Sequence, residues 1–230
     1  MQQTWANLLF LHWRFPAELV QATLPRGLTV DTFDGTAWVG VIPFFMRGVH
    51  PRWLASVPGL SNFLELNVRT YGFDTAGRPG VWFYSLDCNQ STAVTLARKF
   101  YHLPYEHARM SALREDHRVS NYSAIRRGQN AVARYAYPTT LGGATTEPGS
   151  LEFFLIERYL LFAYNRRSEQ LWSGQVCHPP YRVVREDASV WSDVPLRQAG
   201  FEAGGRAPDH QCVAAPVTVR IFGLESVSRA

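Results

Sequence analysis

The stretch that follows Asn62 alternates so regularly that its two faces can be assigned by inspection. Leu64, Leu66 and Val68 fall on one side, and Glu65, Asn67, Arg69 and Tyr71 on the other, the period of two that marks a strand with unlike faces. Asp74 to Gly80 carries the turn residues that reverse the chain, and Val81-Trp82-Phe83-Tyr84 returns as a strand apolar on both sides, a pattern that calls for cover on both sides. Asn89 or Ser91 can cap the helix that follows, with Ala93, Leu96, Ala97 and Phe100 on one face. Pro104 cannot continue that helix and pushes Leu103 toward an extended conformation. A third strand then sets Tyr105, His107 and Arg109 against Glu106, Ala108 and Met110.

The flanks read in the same way. Residues 4–14 predict a strand, Pro16 to Leu24 a short helix, and Leu28 to Met46 a hairpin turning at Asp34-Gly35. The prolines at 51 and 58 mark residues 47–60 as a surface or lid loop. Residues 119–126 and 131–137 pair across Gly128, and the linker-like segment 138–150 ends at Ser150, which caps an apolar helix over 151–158. Residues 159–164 and 171–176 predict another hairpin, a short helix follows near 196–199, and one or two strands finish the chain over 212–222. About ten strands and three or four short helices make the fold mainly β (α+β), a curved antiparallel sheet or barrel with helices at its ends. The whole chain, residues 1–230, is expected to form one domain.

Composition narrows the function classes. The chain is 46% hydrophobic and 18% charged, with seven Trp, ten Tyr and fourteen Phe, which suits sheets and pocket linings. The net charge of +4 comes from 23 basic and 19 acidic residues. Lys99 is the single lysine, so 23 − 1 = 22 of the basic residues are arginines, scattered from Arg14 to Arg229. No basic stripe tracks a phosphate backbone, which argues against nucleic acid as a partner. Cys88, Cys177 and Cys212 are odd in number and widely spaced, the usage of a reduced, cytoplasmic protein. The apolar run Trp5–Trp13 has no basic flank before it and is too short to span a bilayer as a helix, so no membrane association is expected. No metal-ligand spacing, phosphate loop or dinucleotide fingerprint occurs, and no cofactor is expected. Self-association stays open.

Several phrases are similar to those of the YqjF-like family of uncharacterised bacterial proteins. They are L-F-L-H-W near the start, F-D-G-T-A-W-V-G-V-I-P-F at 33–44, E-L-N-V-R-T-Y-G at 65–72, P-G-V-W-F-Y-S-L-D at 79–87, L-P-Y at 103–105 and S-L-x-x-F-L-x-E-R-Y at 150–159. The resemblance implies the acetoacetate-decarboxylase-like superfamily, an antiparallel β-barrel-like assembly around an internal cavity. In the decarboxylase a lysine after the helix stop forms a Schiff base with a β-keto acid, and the resemblance puts Tyr105 at that place. A phenol cannot form an imine. Lys99 lies earlier, beside Arg98 on what reads as a solvated helix face, so Schiff-base decarboxylation is not expected.

The candidate chemistry is therefore acid–base chemistry or binding alone. Glu65 and Arg69, four residues apart on one strand face, stand roughly 13 Å apart, far enough to grip two parts of one small ligand. Arg69 can hold a carboxylate, Glu65 can act as a base if burial raises its pKa, and Tyr105 or Arg69 can stabilise an enolate-like charge. Asn67, Trp82, Tyr84 and His107 complete the expected ligand-binding set. The alternatives are a solvated outer face with ordinary cross-strand ion pairs, a half-exposed edge for His107 and Arg109, and a filled core that serves only protein interaction. Glu157-Arg158 at the end of an apolar helix reads as a structural ion pair or cap, and His178 and His210 read as lone histidines.

Overall fold

The structure, a computed structural model, describes residues 1–50 and 61–227, without the side chains of Ala93, Leu96, Ala97, Lys99 and Phe100. The apolar helix face expected at 93–100, the placement of Lys99 and most of the loop expected at 47–60 lie outside the described residues. In chain order the first strands are β1 (Gln2–Ala6), β2 (Leu8–Phe15), β3 (Leu28–Val30), β4 (Ala37–His50), β5 (Phe63–Asp74), β6 (Pro79–Cys88), β7 (Tyr105–Glu115) and β8 (Arg118–Arg126). They continue as β9 (Ala133–Pro138), β10 (Ala144–Thr145), β11 (Leu160–Asn165), β12 (Gln170–Cys177), β13 (Arg182–Val184), β14 (His210–Ala214) and β15 (Val217–Ser226). The helices are α1 (Ala17–Gln21), α2 (Ser91–Tyr101), α3 (Leu151–Ile156) and α4 (Val194–Gln198). None is long and apolar enough to cross a membrane among the described residues.

The expected first strand is two strands, because Asn7 takes a left-handed backbone with φ 50, a conformation asparagine tolerates better than most residues. The break lets one long neighbour serve both pieces. The first half of β4 pairs β2, from Ala37 opposite Phe15 to Val41 opposite Leu11, and its second half pairs β1, with Phe45 opposite Ala6 and Met46 opposite Trp5. The hydrogen-bonded circuit then runs from β4 to β5, β6, β11, β12, β15, β1 and back to β4. A sheet that returns to its first strand has no edge within that ring. The pairs are antiparallel except where β6 meets β11. The expected hairpin at Asp34-Gly35 shrinks to a bridge between Phe33 and Thr36, and β3 pairs the end of β5 instead.

Two cores follow from the ring. Inside it, Leu8, Phe10, Ile42, Phe44, Leu86 and Val176 pack together. Outside it, Leu66 and Val68 of β5 join Leu9, Leu11, Trp13 and Val39 beneath Tyr122 and Tyr135 of the β8–β9 hairpin. β5 is therefore covered on both faces, and its residues 65–72 are all buried. The alternation legible in the sequence separates two interiors here, one apolar and one that carries the polar row.

Candidate functional site

The polar row of β5 points into the ring. Glu65, Asn67 and Arg69 line an internal cavity of about 60 Å³ together with Phe10, Phe44, Phe83, Leu86, Tyr105 and Arg158. At roughly 10–15 Å³ per water position, that space holds about four to six water molecules or one small organic molecule.

β6 supplies the adjoining wall with a different set of residues from the one its alternation predicts. Val68 pairs Ser85 while Arg69 pairs Phe83, so Tyr84 is a β-bulge, one extra residue that reverses the in–out phase of the strand. Val81, Phe83 and Leu86 face the cavity as a result. Trp82 turns outward against Leu24, Leu28 and Phe162, and Tyr84 packs edge-on to Phe201 with its hydroxyl 2.7 Å from Thr23 Oγ1. His107 also lies off the cavity, in an open surface groove with Asn89, Arg109 and Arg127. The expected cavity roles of Trp82, Tyr84 and His107 are corrected accordingly. Glu65, Asn67, Arg69 and Tyr105 are the predicted site residues that the fold brings together.

Tyr105 reaches the cavity through the end of α2. His102 adopts φ 50 at the C-cap, Pro104 cannot rejoin a helix, and Tyr105 opens β7 beside Leu86. Its hydroxyl donates to Glu65 Oε2 at 2.8 Å. Glu65 is only 3% exposed. Burial pushes its carboxyl up to about 8 from an ordinary 4.5, the Tyr105 hydrogen bond pulls it back, and nearby Asp87 pushes it up again. Asp87 itself is pushed up to about 6 by burial, against the pull of Arg126, to which it is ion-paired at 2.8 Å. Glu65 thus keeps its proton in most molecules at neutral pH and can give or take it near pH 8.

Arg69 presents the opposite chemistry. It is 8% exposed, donates Nε to Tyr71 Oη at 3.3 Å and Nη2 to the Leu155 carbonyl at 2.9 Å, and among the described residues has no carboxylate partner. Leu155 belongs to the last turn of α3, whose carbonyls lack helical partners and so accept from a guanidinium. α3 stops at Ile156, two residues before its expected end, and the Glu157 carboxylate accepts from the Tyr159 hydroxyl and the Tyr181 N–H. Glu157 and Arg158 do not pair with each other: Arg158 is held by Asp31 at 2.7 Å and sits against the Phe154 and Tyr71 rings. With Arg158 held by Asp31 and Glu65 protonated, Arg69 is the one uncompensated charge on the cavity wall among the described residues. A buried, unpaired guanidinium is costly, and a monoanion would relieve it. Asn67 Oδ1 is also buried without a hydrogen-bond partner among the described residues, a second unused polar atom on the same wall. Among the described residues no cluster of His, Cys, Asp or Glu suits a metal ion.

Comparison with known proteins follows the same outline. The model of DUF2071, described as an uncharacterized conserved protein family, matches residues 2–218. The uncharacterized protein YqjF of Bacillus subtilis (strain 168) is 34% identical over 190 residues, which is 83% of this chain and 77% of that protein. An acetoacetate decarboxylase-like enzyme from Sphingomonas wittichii RW1 superposes with a TM-score of 0.64 at 14% identity, covering 100% of this chain and 93% of that one. Acetoacetate decarboxylase from Legionella pneumophila gives 0.61 at 11% identity, covering 99% and 88%. The enduracididine biosynthesis enzyme MppR complexed with pyruvate gives 0.64 at 13%, covering 99% and 90%. The fold is thus mainly β and acetoacetate-decarboxylase-like.

Proposed function

The chain belongs to the DUF2071 family, and from that footing we propose that residues 1–230 act as one domain that binds a small monocarboxylic acid in the ring cavity and exchanges a proton with it through Glu65. The observation that carries this is Arg69: a buried cation without a carboxylate partner among the described residues, on the same strand face as a carboxyl held near pKa 8. Arg69 takes the ligand carboxylate as a bidentate pair, the apolar wall of Phe83 and Leu86 covers its carbon skeleton, and Asn67 orients it. Ionised Glu65 then removes a proton from carbon next to a carbonyl, and the carbonyl oxygen becomes an enolate as the electron pair moves onto it. Protonated Glu65 returns the proton to the same carbon. Tyr105 holds the carboxyl in place and donates in either protonation state. The reading needs no imine: Tyr105, which the resemblance puts at the lysine's place, is a phenol, and the side chain of Lys99 lies outside the described residues.

Pyruvate is the probe of choice, being small enough for the cavity and present in a structure of one fold neighbour. In D₂O the protein should replace the methyl protons of pyruvate with deuterium, read by proton NMR. Glu65→Gln should abolish exchange while binding persists. Arg69→Ala should weaken binding about 10- to 150-fold, the loss of a charged hydrogen-bonded contact worth roughly 1.5–3 kcal/mol. Binding without exchange in the parent protein would make it a carrier, and saturating pyruvate that leaves its thermal stability unchanged would remove the proposed site. The alternative of an interaction module with a filled core is disfavoured by the open volume beside Arg69.

A further inference from the structure

The polar row on β5 continues past Arg69 to Tyr71, which is wholly buried. Tyr71 Oη lies 3.3 Å from Arg69 Nε and 2.7 Å from His12 Nε2 on β2. His12 Nδ1 is 3.2 Å from His210 Nδ1 on β14, and His210 Nε2 faces Glu152 Oε1 at 3.8 Å. Glu152 is partly exposed and ion-paired to Arg185 at the surface.

The donor order along this row is fixed by elimination. Arginine has protons only to give, so Tyr71 accepts from Arg69 and spends its own proton on His12 Nε2. A neutral His12 must then carry its proton on Nδ1 and give it to His210 Nδ1, which leaves the His210 proton on Nε2, facing Glu152. The reverse order, in which Tyr71 accepts from His12 as well as from Arg69, leaves the Tyr71 hydroxyl proton without an acceptor among the described residues. Both histidines are neutral at physiological pH: burial pushes His12 well below its ordinary value and His210 down to about 4, with Arg69 acting in the same direction on His12 and Arg185 on His210, against Glu152. Backbone register makes the row. His12 stands opposite His210 on one side and Gly40 on the other, where a Cβ would lie 2.8 Å from His12 Cδ2.

We propose that Tyr71, His12 and His210 are positioning residues for Arg69, joined in a one-way hydrogen-bond chain that runs from Arg69 to His210 and ends there, short of the partly exposed Glu152. The guanidinium donates two bonds that hold it, one to the α3 carbonyl and one to Tyr71, and the second is favoured while Tyr71 keeps its proton turned toward His12. A change at His210 therefore reaches Arg69 without touching the cavity. The inference rests on Arg69 being the anion-holding group for its functional meaning, but its test does not need a ligand.

Nitrogen-15 NMR of ligand-free protein at pH 7 reads both ends of the chain. His12 should be the Nδ1–H tautomer and His210 the Nε2–H tautomer; the reverse order at either ring overturns the proposal. The Arg69 Nε proton should exchange with solvent about tenfold faster in His210→Leu, one hydrogen bond's worth of lost order. His210→Asn, whose side-chain oxygen can accept in place of Nδ1, should restore slow exchange. If His210→Leu does not fold, Tyr71→Phe removes the same link directly and should give the same acceleration. Unchanged Arg69 exchange in a folded His210→Leu or Tyr71→Phe variant refutes the positioning role, and failure of pyruvate to bind would refute only the ligand assignment.

Discussion

Replacing Glu65 by glutamine should remove a large, identifiable part of the protein's pH-dependent stability. In the folded protein the Glu65 carboxyl is pushed up to about 8 from an ordinary 4.5. A raised acid pKa means that the folded state binds more protons than the unfolded state between those two values, so this contribution is complete below pH 4.5 and is lost as pH rises to 8. Each unit corresponds to about 1.4 kcal/mol, giving a total of about 5 kcal/mol across the window and about 3 kcal/mol already lost at pH 7. Glutamine keeps an oxygen for Tyr105 to donate to and has no charge to bury. Glu65→Gln should therefore be more stable than the parent at pH 7 by about 3 kcal/mol, a melting-point gain of roughly 6–12 °C. Urea unfolding at intervals from pH 5 to 9 is the assay, and the quantity of interest is the difference between the two proteins. Asp87, pushed up to about 6, titrates in both and largely cancels. Stability curves that run parallel, within about 0.5 kcal/mol across the range, would show that Glu65 is solvated and would remove the basis for its proton exchange.

Two other outcomes check neighbouring parts of the argument. Tyr105→Phe removes the hydrogen bond that holds the Glu65 carboxyl down; its titration, followed by carbon-13 NMR of the carboxyl, should move further up, and a downward move would show that the phenol does not favour the charged form. Gly40→Ala places a Cβ 2.8 Å from His12 Cδ2 and 3.0 Å from its Nε2; overpacking of this kind should cost about 1–3 kcal/mol in urea unfolding, and a neutral result would mean that the His12 ring has room to shift.

How far the site could be read in advance differs residue by residue. Glu65, Asn67 and Arg69 were legible because alternation depends on the chain alone: side chains two apart on a strand share a face whatever covers it. Tyr105 was singled out by the resemblance to the decarboxylase-like family, while Pro104 only ended the helix before its strand. Trp82 and Tyr84 were misplaced because the bulge at Tyr84 is defined by two strands together, through the pairing of Val68 with Ser85 and of Arg69 with Phe83. Nothing within Val81–Leu86 marks the residue that will be left unpaired. Arg158 looked like the partner of Glu157, its neighbour in sequence, and found Asp31 across the fold instead.

The sequence by itself determined that this is a mainly β chain whose central strand has one apolar and one polar face, a property of local periodicity. Only the tertiary structure decided that the polar face looks inward, because that depends on β4, β5, β6, β11, β12, β15 and β1 closing into a ring. Burial then pushes the Glu65 carboxyl up to about 8 and leaves Arg69 without a carboxylate partner among the described residues. The His12–His210 contact belongs to the same class: it joins residues 198 apart in sequence and exists only because register places them opposite each other on β2 and β14.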